Sequence, residues 1–177
     1  MKTYKIRKAE EKEVATIIDL LKEVASWLRN NDINQWGFLL EGGEDEEITE
    51  AVINGDTYVA CHDDEIIATV TLYAQKSEWD QHVWGTEDDP EALYLHRLAV
   101  RPQYMKNGIG KEILNWVDEN LKNTIRLDCV AHNPKLCAYY ERNGYSLIGT
   151  TADGHSKFQK LHEEGSTNES NDITVTK

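Results

Sequence analysis

The chain has 177 residues, of which 40% are hydrophobic and 29% charged, and its formal net charge is -13 at pH 7. This composition is typical of a globular protein that folds as one domain with a sizeable core. The negative charge argues against a general nucleic-acid binder and against docking on an anionic membrane, because both need a basic surface. A cationic or amine-bearing partner fits this charge, although an acidic surface also serves solubility alone.

The sequence contains neither the apolar run of about 20 residues that a membrane-spanning helix needs nor the apolar block of a secretory signal peptide near its start. Its three cysteines, Cys61, Cys129 and Cys137, form no CxxC pair and show no metal-ligand spacing. We therefore expect a cytoplasmic protein without a bound metal, in which the thiols pack as small hydrophobic groups.

The first half of the chain shows helical and then extended patterns. Apolar residues recur at three- and four-residue spacing from Ala9 to Arg29, which predicts one or two helices after a short strand over Tyr4–Arg7. An acidic first turn and a stop at Asn54-Gly55 predict a further helix over Asp45–Ile53. The β-branched runs "TYVACH" and "IIATVTLY" predict a hairpin. The polar stretch that follows, residues 75–92, is predicted to be a long loop.

The second half begins with "LYLHRLAV", the clearest strand pattern in the chain. The apolar stripe that starts at Ile109 predicts a helix, and "TIRLDCVA" predicts a strand. In "NPKLCAYYERNGY" an Asn cap, a Pro at the first helical position and a final Asn-Gly predict a short helix. Two strands, "YSLIGT" and "HSKFQKL", complete the pattern. This order predicts a mixed sheet covered on both faces, in one domain through residue 162, with a disordered tail over 163–177.

The stretch "QYMKNGIG", residues 103–110, connects the strongest predicted strand to a predicted helix. The first N–H groups of a helix lack internal partners and attract anions. Gly108 and Gly110 remove side chains that would keep a phosphate from the main chain, and Lys106 and Lys111 add positive charge. The loop can therefore hold a pyrophosphate, although such glycines also occur in plain turns. It is not a P-loop, since no G-K-[ST] follows, and a third Rossmann glycine is missing.

Two linked motifs, "LHRLAVRPQYMKNGIGKEIL" and "RLDCVAHNPKLCAYYERNGY", stand in order over Leu93–Ile148. Together they resemble the GNAT superfamily of acyl-CoA-dependent N-acyltransferases. The resemblance implies an α+β fold, whose mixed and mostly antiparallel sheet has splayed central strands and is flanked by helices on both faces. It also implies acetyl-CoA as the acyl donor and direct transfer to an amine, without a metal.

The resemblance assigns roles by position. The main chain of Leu98 and Val100 would bind the pantetheine arm of coenzyme A, and the glycine loop its pyrophosphate. Asn133 would lie near the cofactor arm, or act only as a helix cap. Tyr140 would protonate the thiolate leaving group, or act only as a core aromatic. The predicted cofactor-binding residues are Leu98, Ala99, Val100, Met105, Lys106, Asn107, Gly108, Ile109, Gly110, Lys111, Asn133 and Tyr140.

Met105 departs from the family pattern, which has Gln or Arg at this position. A methionine supplies neither a hydrogen-bond donor nor a charge. Phosphate binding is therefore expected to rest on the main chain from Lys106 to Lys111.

The predicted catalytic residues are Tyr140 and His96. An imidazole ordinarily accepts a proton near neutrality, which favours His96 as the base for the attacking amine. Strict alternation along the strand places His96 on one face with Tyr94 and Val100. Tyr94 occupies the place of the glutamate that many family members carry here. The alternatives that stay open are a water molecule without a dedicated residue, Glu91 and His132.

Trp27, Gln35, Trp36 and Tyr94 are predicted to bind the acceptor, although the two tryptophans could equally close the core. The leading hypothesis is an acetyl-CoA-dependent N-acetyltransferase that acts on a primary amine of a small molecule, with no nucleic-acid or membrane partner and with a homodimer left open. One alternative is a non-catalytic acyl-CoA-binding module. Another is a protein N-terminal or lysine acetyltransferase.

Overall fold

The computed structural model describes residues 4–33, 36–87 and 89–162, with positions 37 and 38 described by their main chain alone. Gln35, one of the predicted acceptor-binding residues, lies outside the described residues. The predicted tail over 163–177 also lies outside them.

The helices and strands follow one another along the chain as the sequence pattern predicts, with two additional short helices. Two short 3-10 turns, at Glu11–Glu13 and Pro102–Tyr104, precede α1 and α5. In chain order the elements are β1 (Lys5–Lys8), α1 (Val14–Asn30), α2 (Gly37–Leu40), α3 (Asp45–Ile53), β2 (Thr57–His62), β3 (Glu65–Tyr73), α4 (Glu78–Trp84), β4 (Ala92–Val100), α5 (Ile109–Leu121), β5 (Thr124–Val130), α6 (Pro134–Arg142), β6 (Ser146–Thr150) and β7 (His155–Lys160).

The seven strands form one sheet in the order β1-β2-β3-β4-β5-β7-β6. Strands β1 and β2, β2 and β3, β5 and β7, and β6 and β7 pair antiparallel, whereas β4 and β5 pair parallel. The parallel pair joins Ala92–Tyr94 to Thr124–Arg126, and both strands continue beyond this register. The predicted α+β fold with a mixed, mostly antiparallel sheet is confirmed.

The described chain forms two compact units, each made of two segments. The first unit contains residues 4–73 and 95–116, and the second contains residues 74–94 and 117–162. Strand β4 and helix α5 each contribute residues to both units. The single domain expected through residue 162 stays a prediction.

The core of the first unit forms between one face of α1 and the strands β2 and β3. The amphipathic stripe of α1 buries its apolar side chains, as the three- and four-residue spacing predicts. At the end of β4, the Arg101 N–H donates to the Ile67 carbonyl (2.8 Å) and its Nη1 pairs with Glu23 (2.7 Å). These contacts fix the point where the glycine loop begins. The buried residues are Ile17, Leu20, Leu21, Val24, Ala25, Leu39, Ile48, Val52, Val59, Cys61, Ile66 and Ala99.

The second unit buries alternate residues of β5 and an aromatic cluster. Ile125, Leu127 and Cys129 are buried, which is the period-two pattern of a strand with one covered face. The ring of Tyr140 on α6 lies beside those of Tyr145 and Phe158, at centroid distances of 5.8 Å and 6.1 Å.

The prediction of a plain loop over residues 75–92 is wrong, because this stretch contains helix α4. Ser77 caps the helix: its hydroxyl accepts from the Asp80 N–H (3.2 Å), and the Asp80 carboxylate accepts from the Ser77 N–H (3.2 Å). This reciprocal pair is a capping box, and its pattern of Ser, two residues and an acid was readable in "SEWD".

Candidate active site

Strand β4 is irregular at Arg97. Its φ of 51° lies in the left-handed region that residues other than glycine rarely adopt. The alternation of buried residues along the strand shifts by one position nearby. Tyr94 is buried at an even-numbered position, whereas Leu95 and Ala99 are buried at odd-numbered ones. The strict alternation that placed Tyr94 on the same face as Val100 therefore does not hold through this strand.

Four side chains of the first unit meet at this irregularity. The Arg97 guanidinium is 8% exposed, donates to the Tyr73 hydroxyl from Nη2 (2.7 Å) and pairs with Glu44 through Nη1 (3.4 Å). The Tyr73 ring also lies 5.2 Å from that of His96, measured between centroids. Neighbouring residues of a regular strand point to opposite faces, so the left-handed Arg97 explains why both it and His96 contact one tyrosine.

The charges of this cluster are partly withdrawn from water. Burial raises the pKa of the Glu44 carboxyl, and the neighbouring Arg97 only partly opposes this. Burial also raises the pKa of Tyr73, so its hydroxyl stays protonated. Sequence reasoning identified only His96 here and missed Glu44, Tyr73 and Arg97, since no motif marks them.

The glycine loop has the main-chain geometry of an anion cradle. Lys106 and Gly108 have φ of 69° and 76°, and residues 106–108 are exposed. Helix α5 begins at Ile109, and within the described residues Glu112 donates its N–H to the Gly108 carbonyl (3.0 Å). The N–H groups of positions 108–111 precede this bond and have no place in the helical pattern. A Cβ on Gly108 would meet nothing within 4 Å, so its positive φ is what requires glycine.

Met105 stands apart from this cradle. Its side chain packs against the apolar core of the first unit. Its N–H donates to the Pro102 carbonyl (3.2 Å), within the 3-10 turn that ends β4. Met105 therefore offers a phosphate neither its side chain nor its N–H, and its predicted contact with the cofactor has no support here.

Helix α6 carries the two predicted site residues of the second unit. The Asn133 side chain accepts from the Leu136 N–H (3.2 Å), which confirms the predicted helix cap. Tyr140 is 8% exposed and lies among aromatic rings. Burial raises the pKa of Tyr140, so its hydroxyl holds its proton throughout the physiological pH range.

Two of the three thiols lie together. Cys129 on β5 and Cys137 on α6 have their sulfur atoms 3.5 Å apart, and all three cysteines are free. Burial raises the pKa of Cys129, which keeps it a neutral thiol. Packing of the thiols is thus confirmed for the buried Cys61 and Cys129, whereas Cys137 is half-buried.

Helix α4 is joined to the strands of the second unit by polar contacts that sequence reasoning missed. The Trp79 indole N–H donates to the Asp128 carboxylate (3.1 Å), and its ring lies 4.7 Å from that of His155. His82 contacts Asp153 at 2.9 Å. These partners are 49 and 71 residues apart, so no local pattern could have paired them.

The structure describes three of the four predicted acceptor-binding residues. Trp36 packs against the core of the first unit, and Trp27 is half-buried on α1. Tyr94, in the second unit, is 2% exposed and its hydroxyl accepts from Arg126 Nη1 (3.0 Å). Trp36 and Tyr94 both make packing contacts, and their binding of an acceptor stays a prediction.

Among the residues that the structure describes, no group of three or more His, Cys, Asp or Glu side chains is placed to hold a metal ion. No helix in the described part of the chain combines the length and the apolar character needed to cross a membrane.

Comparison with known proteins identifies the family. The model of the Acetyltransferase (GNAT) family matches residues 20–145. The chain belongs to the GNAT acetyltransferase family. It is 38% identical over 152 residues, 84% of each chain, to the uncharacterized N-acetyltransferase YesJ of Bacillus subtilis (strain 168). It is 33% identical over 99 residues, 52% of this chain and 55% of the relative, to S-(2-succino)cysteine N-acetyltransferase of the same strain.

Solved structures share the fold. A GNAT acetyltransferase of Listeria monocytogenes 4b F2365 superposes with a TM-score of 0.76, at 26% identity, over 89% of this chain and 94% of that one. The PaiA N-acetyltransferase of Thermoplasma acidophilum, solved with coenzyme A, superposes with a TM-score of 0.70 at 19% identity, over 90% of this chain and 99% of that one. The chain is thus an N-acetyltransferase of a family that uses acyl-CoA, which favours the enzyme over the alternative of a non-catalytic binding module.

Proposed function

We propose that this enzyme transfers an acetyl group from acetyl-CoA directly to a primary amine of a small molecule. The observation that carries the proposal is the glycine loop, where the exposed residues 106–108 lead into the first turn of α5. The second relative is an S-(2-succino)cysteine N-acetyltransferase, which makes that amine a rational first acceptor.

The loop fits the diphosphate of coenzyme A. The N–H groups of positions 108–111 are the donors, and the exposed Lys106 and Lys111 supply local positive charge in a chain whose net charge is -13. The left-handed Gly108 leaves the approach to these donors open. Leu98 and Val100 would bind the pantetheine arm through their main chain, and Asn133 would serve this arm as well as capping α6.

Tyr140 is the proposed proton donor to the leaving sulfur. Bound acetyl-CoA supplies the acyl group as a thioester, and its transfer to an amine leaves an amide and a thiol. A proton donor must start protonated, and the burial that raises the pKa of Tyr140 ensures this. The ring contacts with Tyr145 and Phe158 fix the direction of the hydroxyl.

His96 is the proposed acceptor of the amine proton, directly or through a water molecule. It lies on β4 next to the main chain that would bind the pantetheine arm. Its ring contact with Tyr73 orients the imidazole. An amine must lose a proton as it forms the amide, and a side chain placed beside it can accept that proton.

The test is incubation of the purified protein with acetyl-CoA and separate amines, including S-(2-succino)cysteine, amino acids, polyamines and lysine-containing peptides. We expect thiol release above the acceptor-free rate and a product one acetyl group heavier than the amine. His96→Gln should lower kcat, because the amine then lacks the side chain proposed to accept its proton.

Acetylation of the peptides alone, at their amino terminus or lysine, would replace this proposal by a protein acetyltransferase. Tight binding of coenzyme A with no product from any amine would contradict the proposed transfer.

A further inference from the structure

The guanidinium of Arg97 is buried but incompletely bonded. Its Nη2 donates to Tyr73 (2.7 Å) and its Nη1 lies 3.4 Å from Glu44, a long ion pair. Its Nε is buried and has no hydrogen-bond partner within the described residues. A buried donor without an acceptor is costly and uncommon in folded proteins, so it requires an explanation.

A second arginine, whose side chain is half-buried, shows a fully bonded guanidinium in this chain. Arg126, in the second unit, donates from Nε to Gln159 (2.9 Å), from Nη1 to Tyr94 (3.0 Å) and from Nη2 to Asp89 (3.0 Å). All three of its nitrogens are bonded. Arg97 likewise bonds one tyrosine and one carboxylate, Tyr73 and Glu44, but its Nε has no acceptor.

The position of Arg97 links this vacant donor to the reaction. The residue lies between His96, the proposed base, and Leu98, whose main chain is proposed to bind the pantetheine arm. It also has the left-handed φ of 51°. Backbone strain of this kind is found at functional sites, where the surrounding structure maintains it.

We propose that Arg97 binds a carboxylate of the acceptor, so that the preferred substrate is an amine that also carries a carboxyl group; this rests on the proposed function. A carboxylate accepts two parallel hydrogen bonds from one edge of a guanidinium, and Nε forms part of such an edge. The ion pair with Glu44 leaves part of the positive charge of Arg97 available to a ligand, because the pair consists of one long contact. Nη2 completes this edge beside Nε, and of its two N–H groups the Tyr73 hydroxyl accepts one (2.7 Å).

The kinetic test uses two acceptors that differ in one carboxylate, L-methionine and L-methioninamide, with Arg97→Lys. Lysine keeps the charge but loses Nε and the paired geometry. We expect KM for L-methionine to rise by about 10- to 100-fold, with a much smaller change in kcat. KM for the amide should change by less than about threefold, the scatter expected of an uninvolved contact. Each acceptor is compared between wild type and variant, so the different basicity of the two amines cancels.

Arg126→Lys is the matched control. It removes the Nε donor of a half-buried arginine whose nitrogens are all bonded, and it should lower stability without changing the ratio of KM values for the two acceptors. Equal changes for both acceptors in Arg97→Lys would overturn the proposal and leave a structural arginine whose Nε binds only water.

A second readout does not depend on turnover. The Nε–H resonance of Arg97, assigned by its loss in Arg97→Lys, is followed in the CoA-saturated protein during titration with succinate. We expect a saturable shift that neutral succinamide does not produce. If no amine is acetylated but this shift occurs, the proposed function fails and the carboxylate site stands. If amines are acetylated and succinate leaves the resonance unmoved, together with equal KM changes, the carboxylate site is wrong.

Discussion

At the scale of single residues, the packing of Tyr140 and its proposed role as proton donor rest on different parts of one side chain. Its ring belongs to the aromatic cluster of the second unit, which would be retained if only its oxygen were removed. The hydroxyl adds a proton that burial keeps in place. Packing and catalysis can therefore be separated by one substitution.

Tyr140→Phe should lower kcat by about 10²- to 10⁴-fold, the usual contribution of a proton donor, and leave KM for acetyl-CoA nearly unchanged. Because burial raises the pKa of Tyr140, loss of its proton should not limit the wild-type rate below pH 10.0, the ordinary value for a phenol. Thiol release measured across pH checks both points. Tyr139→Phe, on the same helix, is the control, and an equal loss of rate in that variant would contradict the specific role of Tyr140.

Met105 gives the opposite case, a loop residue whose side chain serves only the core. Met105→Gln should lower the free energy of unfolding by about 1 kcal/mol, because a polar group replaces a packed thioether. The dissociation constant for coenzyme A should stay within about threefold, as expected for a residue outside the cradle. Urea unfolding and calorimetry measure the two quantities. A much tighter complex would show that this side chain reaches the phosphates after all.

At the scale of elements, α4 depends on a local cap. The Ser77 hydroxyl accepts from the Asp80 N–H, and loss of such a cap costs about 1 kcal/mol. Ser77→Ala should therefore lower the free energy of unfolding by this amount and speed amide exchange within Glu78–Trp84. Ser77→Thr keeps the acceptor and is the control. Unchanged exchange in Ser77→Ala would mean that contacts such as Trp79 with Asp128 hold the helix without its cap.

The elements that sequence predicted correctly are those fixed by local rules. Helix α3 coincides with the predicted Asp45–Ile53, and Asn133 caps α6 as its position before a proline indicates. The elements and contacts that were not predicted were missed for different reasons. The cap of α4 was a local signal that went unread, whereas the left-handed Arg97 had none, because arginine does not favour that conformation. The contact between Trp79 and Asp128 needs the folded sheet.

The features of the candidate site also divide into those that local sequence patterns indicated and those that depend on the folded chain. The proposed roles of the glycine loop and of Tyr140 came from two motifs that resemble the family's, whereas the Asn133 cap followed from its position before a proline. The cluster of Glu44, Tyr73 and Arg97 was not predicted, because it joins three separate stretches of the chain. The packing of Trp36 against the core and the burial of Tyr94 were not predicted, because the burial of a single aromatic is not readable from its neighbours in sequence.

At the scale of the whole molecule, ligand binding should be visible as stability. Under the proposed function coenzyme A binds the folded chain, so at a concentration of about 100 times its dissociation constant it should add ~2.7 kcal/mol to the free energy of unfolding. For a chain of this size that corresponds to a rise in melting temperature of about 5–10 °C. Thermal unfolding with and without coenzyme A measures it, with adenosine as the control that lacks the diphosphate. No rise at saturating coenzyme A would contradict binding to the native fold.

The most direct test of the account is a crystal structure with coenzyme A bound. We expect the diphosphate within hydrogen-bond distance of the main-chain N–H groups of positions 108–111, and the sulfur beside the Tyr140 hydroxyl. A diphosphate held elsewhere, or a sulfur out of reach of Tyr140, would contradict the central claim that this loop binds the cofactor and this tyrosine protonates the leaving thiolate.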